Sequence, residues 1–187
     1  MEHKEKYSIC FQPDGIVLEE VSRMKTVLSE AIGAFNSKNS LAHITIAEFE
    51  LDQRKISRIQ KYLDQGCASF NPVPITFDSF GTYPNGAFFL DVDAKAKEIL
   101  KTYGDLLMRL LHLKGAYRSN DPHMSIARKL NPAKILTAYH VLNTPNLTFT
   151  CDHIALRQFN RSKMQYDVIG TYSFQSRPIV ESQLSLF

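Results

Sequence analysis

Apolar residues at Val17, Val21, Met24, Leu28, Ala31 and Phe35 recur at three- and four-residue intervals, the mark of a helix with one buried face. Before it, YSICF (residues 7–11) is strand-like, and Pro13, Asp14 and Gly15 separate the two. Residues 36–40 are polar and turn-like, and a strand is predicted over 41–49. Asp52 then caps a second helix whose Ile56, Ile59, Leu63 and Cys67 share a face. Pro72 and Pro74 bound a strand over 75–82. Asn85-Gly86, set between two strand-like runs, predicts a tight hairpin.

After the hairpin the order starts again. Residues 87–92 read as a strand, and Asp93 caps a helix carrying Ile99, Tyr103, Leu106, Leu107, Leu110 and Leu113. A loop over 114–122 leads to a strand over 123–128. Asn131-Pro132 is an N-cap and first-turn pair for a helix through Ile135, Leu136 and Tyr139. A long strand over 147–159, a turn over 160–164 and a closing strand over 165–174 complete the pattern. Both halves read strand, helix, strand, helix, strand. Repeats over about 7–82 and 87–174 therefore predict one two-lobed domain over 1–187, with a tail from 175. The expected fold is α+β, a pseudo-symmetric duplication with antiparallel sheets facing a central cleft and helices packed outside.

The repeat carries chemistry at one place. HITIAEF begins at His43 and HMSIARK at His123, so each copy reads His, any residue, hydroxyl, Ile, Ala. Side chains alternate along a strand. His43, Thr45 and Ala47 then share one face, as do His123, Ser125 and Ala127, while Ile44, Ile46, Met124 and Ile126 face the helices. Two imidazoles and two hydroxyls thus converge on the cleft, and the alanines leave room. Opening a phosphodiester needs a base on the attacking water and an acid on the departing oxygen, and histidine does either near neutral pH. Thr45 and Ser125 supply hydrogen bonds to the non-bridging oxygens. A lone His-x-Ser/Thr is common by chance; two at equivalent places in a repeat are not.

Composition narrows the setting. The 187 residues are 44% hydrophobic, enough for a packed core, with a net charge of +3. That balance suits an anionic ligand but not a nucleic-acid coat. Cys10, Cys67 and Cys151 form no CxxC pair and read as buried thiols of a reducing compartment. The N-terminus has no apolar signal core and no apolar run spans a membrane, so a cytoplasmic monomer with no membrane association is expected. No third ligand accompanies the two histidines at metal-binding spacing, so no metal and no cofactor are expected.

HITI and HMSI resemble the two H-x-T/S-x motifs of the two-histidine (2H) phosphoesterase superfamily. PHMSIAR, the length and the motif spacing are similar to its bacterial branch of 2'-5' RNA ligase-like, RNA 2',3'-cyclic phosphodiesterases. The resemblance implies a cyclic phosphodiesterase acting on 2',3'-cyclic phosphates of RNA ends or small nucleotides, with 2'-5' ligation in some members. It implies His43 and His123 as the acid/base pair and Thr45 and Ser125 as phosphate-binding hydroxyls. Ser125 stands where Thr is commoner, and Ile46 and Ile126 where Leu is usual. The alternative is a binding module that holds a nucleotide or RNA terminus without turnover.

Around the motifs, Arg157 is expected to contact phosphate, and Phe159 and Tyr83 to stack on a base. Alternation points Arg128 away from His123, toward helix packing or an ion pair, unless a strand twist or bulge brings it round. Lys114, Arg118 and Asn120 make the loop before the second motif a candidate for steering an anion. Finally Gln183, Leu184, Ser185, Leu186 and Phe187 (QLSLF) resemble the short peptide by which bacterial proteins dock on the DNA-polymerase sliding clamp.

Overall fold

The computed structural model describes residues 4–178. Among them the first five elements are β1 (Lys4–Phe11), α1 (Gly15–Ile32), β2 (Ile44–Asp52), α2 (Ile56–Cys67) and β3 (Val73–Phe77). Next come β4 (Ser79–Thr82), β5 (Phe88–Asp91), α3 (Ala94–Leu111), β6 (Tyr117–Arg118) and β7 (His123–Ala127). The last are α4 (Pro132–Val141), β8 (Leu147–Cys151), β9 (His153–Asn160) and β10 (Gln165–Ser173). The local signals hold. Asp14 caps α1 by accepting from the Val17 amide at 2.9 Å. Gly33, at φ 76°, ends the helix three residues earlier than the periodicity predicts. Asp93 and Asn131 cap α3 and α4 the same way. Asp52 caps a short 3-10 turn that leads into α2 rather than α2 itself. The hairpin at Asn85-Gly86 forms between β4 and β5, with Gly86 at φ 80°. A Cβ there would lie 2.2 Å from the Leu130 carbonyl oxygen, so only glycine lets the hairpin tip press against the chain leaving β7.

The fold is α+β with antiparallel pairing throughout. The main sheet runs β10-β9-β1-β2-β7-β5-β4, with β6 beside β2, and β3 and β8 make a separate two-stranded sheet. The centre is the single pair Ile44↔Met124, where β2 meets β7. Around it the order is symmetric: β1 flanks β2 as β5 flanks β7, and the repeats' fifth elements, β3 and β8, pair with each other. The two predicted lobes are therefore joined edge to edge rather than as separate sheets.

Two long strands expected from the sequence are each cut in two. Asp152 divides 147–159 into β8 and β9, and Asp78 divides the other into β3 and β4. Each break sends the chain across to the other repeat: β4 pairs with β5, and β9 with β1. Helices cross over too, with α3 against β2 and α1 against β7. The repeats interlock, and one core results. Tyr7, Ile44, Leu63, Phe77, Leu100 and Met124, from both repeats, are fully buried in it. All three cysteines are buried and free. No helix among the described residues is long and apolar enough to cross a membrane.

Candidate functional site

β2 and β7 enter their pairing with the motif histidines. Ile44 pairs with Met124, and that antiparallel register continued one step either side would set His43 across from Ser125 and Thr45 across from His123. In that register each imidazole would face the other repeat's hydroxyl. In a regular ladder opposite residues have Cβ atoms about 4.5–5.5 Å apart, and diagonal ones somewhat less than about 7–8 Å. Thr45, His123 and Ser125 line one cavity of about 390 Å³, a size typical of small-molecule sites. His43 does not line the cavity itself; it stands two residues from Thr45 on the same face of the strand. Neither the Thr45 nor the Ser125 hydroxyl has a hydrogen-bond partner among the described residues.

Both rings are held alike. Nδ1 of His43 lies 2.7 Å from the Leu41 carbonyl oxygen, and Nδ1 of His123 lies 2.7 Å from that of Asp121. A carbonyl only accepts, so Nδ1 carries the hydrogen and each Nε2 keeps its lone pair. The surroundings differ. His123 is clamped between aromatic rings, Phe89 with centroids 4.6 Å away and Tyr83 edge-on at 5.3 Å. The Tyr83 hydroxyl donates to the Asp121 carboxylate, and Lys97 bridges Asp121 (2.9 Å) to Asp91 (2.6 Å). Burial lowers the His123 pKa, opposed by its hydrogen bond to the Asp121 carbonyl and by the Asp121 charge. Burial pushes His43 down to about 3, and the cations Arg157, Arg128 and Lys25 push the same way. Lys25 is itself buried, donates to the Ser40 carbonyl at 2.7 Å, and is lowered by burial to about 8.

The strand parity predicted for the motifs breaks after each hydroxyl. In the pairing of β1 with β2, Ile9 faces Ala47 and Cys10 faces Thr45, which leaves Ile46 without a partner. In β5 with β7, Phe88 faces Ala127 and Phe89 faces Ser125, which leaves Ile126 out. These are matched β-bulges, one per repeat. They turn Ala47 and Ala127 into the buried interior and bring Glu48 and Arg128, each five residues after its histidine, round to the cavity. The expectation that Arg128 points away from His123 is thus corrected: the bulge reverses its side, and it lines the cavity with Lys129.

The remaining expected residues fall in three places. Tyr83 lines the cavity, but its ring and hydroxyl are engaged with His123 and Asp121, so it braces a histidine rather than offering a free face. Arg157 does not line the cavity. It is buried in the sheet, donating to Ser8 Oγ at 2.8 Å and lying over the Tyr166 ring, with its Nε left without a hydrogen-bond partner among the described residues. Phe159 packs edge-on to Tyr166 and lines a different cavity, with Asn160 and Asp167. In the loop over 114–122, Arg118 pairs with Asp105 of α3 instead of facing the cleft. The same segment adds β6 to β2, and this brings Tyr117 and Ser119 to the cavity. Glu48, Tyr117 and Ser119 went unseen in the sequence; for Glu48 the available signal was its equivalence to Arg128 in the repeat. No group of three His, Cys, Asp or Glu side chains among the described residues is placed to hold a metal ion.

The family profile described as the 2'-5' RNA ligase superfamily matches residues 14–163. No curated protein sequence matches. The fold is similar to TT0787 of Thermus thermophilus, at 16% identity and TM-score 0.67, over 92% of this chain and 100% of that one. It is similar to E. coli LigT complexed with 3'-AMP, at 14% identity and TM-score 0.68, over 92% and 99%. LigT complexed with ATP matches with TM-score 0.59 at 13% identity, over 92% and 99%.

Proposed function

This chain belongs to the 2'-5' RNA ligase superfamily of 2H phosphoesterases, and from that premise we propose that it hydrolyses 2',3'-cyclic phosphodiesters at RNA ends or on small nucleotides. The observation that supports the reading best is the pair Ile44↔Met124, which joins the two motif strands side by side, with Thr45, His123 and Ser125 lining one cavity. One Nε2 takes a proton from water as its oxygen bonds to phosphorus. The P–O bond to one ribose oxygen breaks, and the other imidazolium gives that oxygen its proton. Thr45, Ser125 and the Arg128 guanidinium meet the negative charge that gathers on the non-bridging oxygens. The phosphate's own charge raises the acidic ring back toward neutral pH, against burial. A terminal 5'-hydroxyl in the water's place would give a 2'-5' linkage. The proton transfers need no metal. That LigT binds 3'-AMP is consistent with a nucleotide ligand here.

Incubation with each 2',3'-cyclic mononucleotide, followed by chromatography, tests this. Monophosphate accumulates, at an undiminished rate in EDTA and with a bell-shaped pH profile. Loss of activity on chelation overturns the mechanism; tight binding without product favours the non-catalytic binding module.

The peptide QLSLF lies outside the described residues and carries a second reading, docking on the bacterial DNA-polymerase sliding clamp. Leu184, Leu186 and Phe187 are the apolar anchors such a groove takes. The described chain reaches this segment from Ser176 and Arg177, whose amides donate to Phe70 and Ala68, none of which lines the histidine cavity. Deleting residues 183–187 abolishes capture of purified clamp while leaving hydrolysis intact; unchanged capture removes the reading.

A further inference from the structure

The cavity beside the histidines has two chemically unlike walls. From β7 and the residues after it come His123, Ser125, Arg128 and Lys129, a wall of cations and donors. From β2 and β6 come Thr45, Glu48 and Tyr117. The bulges place Glu48 and Arg128 at equivalent positions of the repeat with opposite charge. Glu48 has no ion-pair or hydrogen-bond partner among the described residues. Its ladder partner on β6 is Tyr117, so the two side chains stand side by side, and Tyr117 is 60% exposed. An open tyrosine face and a carboxylate with no ion pair are poor company for phosphate. They suit the other end of a nucleotide, a flat ring with hydrogen-bond donors on its edge.

Resting on the proposed hydrolysis of cyclic nucleotides, we propose that Glu48 and Tyr117 form a base-selecting subsite for guanine, with Arg128 and Lys129 holding the phosphate end. The ionised carboxylate only accepts hydrogen bonds. Guanine presents N1–H and N2–H side by side, matching both carboxylate oxygens. Adenine and cytosine offer one amino group next to a ring acceptor. Uracil offers one imide N–H between two carbonyl oxygens, which meet Glu48 with like polarity. Tyr117 stacks on any base and adds affinity without choosing among them.

The test measures kcat/KM for the four 2',3'-cyclic mononucleotides with the wild type, Glu48→Gln and Tyr117→Ala. Guanosine is preferred over uridine by about 10- to 100-fold, the range for hydrogen bonds to a charged group. Glu48→Gln, which keeps the shape, collapses that ratio toward unity. Tyr117→Ala raises KM for all four and leaves the ratio standing. Equal turnover of the four bases, preference for another base, or a guanosine preference that survives Glu48→Gln overturns the subsite while the hydrolytic reading stands. In parallel the four nucleoside 2'-monophosphates are titrated by calorimetry. Guanosine-selective binding without turnover by the wild type keeps the subsite and rejects hydrolysis, whereas unselective or absent binding rejects the subsite.

Discussion

Replacing either histidine, His43→Ala or His123→Ala, lowers kcat/KM for cyclic-nucleotide hydrolysis by about 10²- to 10⁴-fold, the contribution of a positioned general acid or base. The two effects are similar in size because each ring has one of two proton transfers and neither can do both. Folding survives, since neither ring is fully buried and each ties to a carbonyl two residues back on its own chain. The pH dependence of stability separates a folding effect from a catalytic one. His43 resists protonation in the folded state down to about 3, whereas the unfolded chain protonates near its ordinary 6.5. Its contribution to stability is therefore complete above pH 6.5 and drains away as the pH falls toward 3. His43→Ala lacks this acid-side loss, so urea midpoints of variant and wild type diverge across that window. Near-wild-type turnover in either variant would sink the mechanism.

Thr45→Val and Ser125→Ala each remove about 2–4 kcal/mol of transition-state stabilisation, by analogy with oxyanion donors. Valine keeps the β-branched shape that suits a strand, so Thr45→Val tests the hydroxyl rather than the backbone. Both hydroxyls lack a partner among the described residues, so their removal strands no buried group. The loss falls on kcat more than on KM, because the charge these donors meet is greatest in the transition state. With the Ile44↔Met124 register continued one step, Ser125 falls across from His43 and Thr45 across from His123, so the pairs His43/Ser125 and His123/Thr45 are the ones whose double variants depart from additivity. Steady-state kinetics of the four single variants and the four histidine–hydroxyl double variants decide this, and equal, additive losses across all four pairings contradict the facing register.

The elements were legible because their signals are local. Helix periodicity, the caps at Asp14, Asp93 and Asn131, and the turn at Asn85-Gly86 are all written within a few residues. The repeat was legible too, and with it the two histidines and their hydroxyls, since identical short patterns at equal spacing need no knowledge of partners. Tertiary structure decided the rest. Alternation along one strand cannot reveal a bulge, because a bulge is a mismatch with a second strand. So alternation alone turns Arg128 away from the cavity and gives no reason to single out Glu48, and only the bulges decide both. The sequence likewise cannot say where a strand changes partners. Asp78 and Asp152 are unfavourable strand residues, but one such residue does not say that the chain crosses there from the small sheet to the large one. Arg157 is buried among Ser8 and Tyr166 because β9 pairs with β1, far from it in the chain. Spacing along the chain determined which chemical groups this protein carries in duplicate; pairing between distant strands decided which of them face one another.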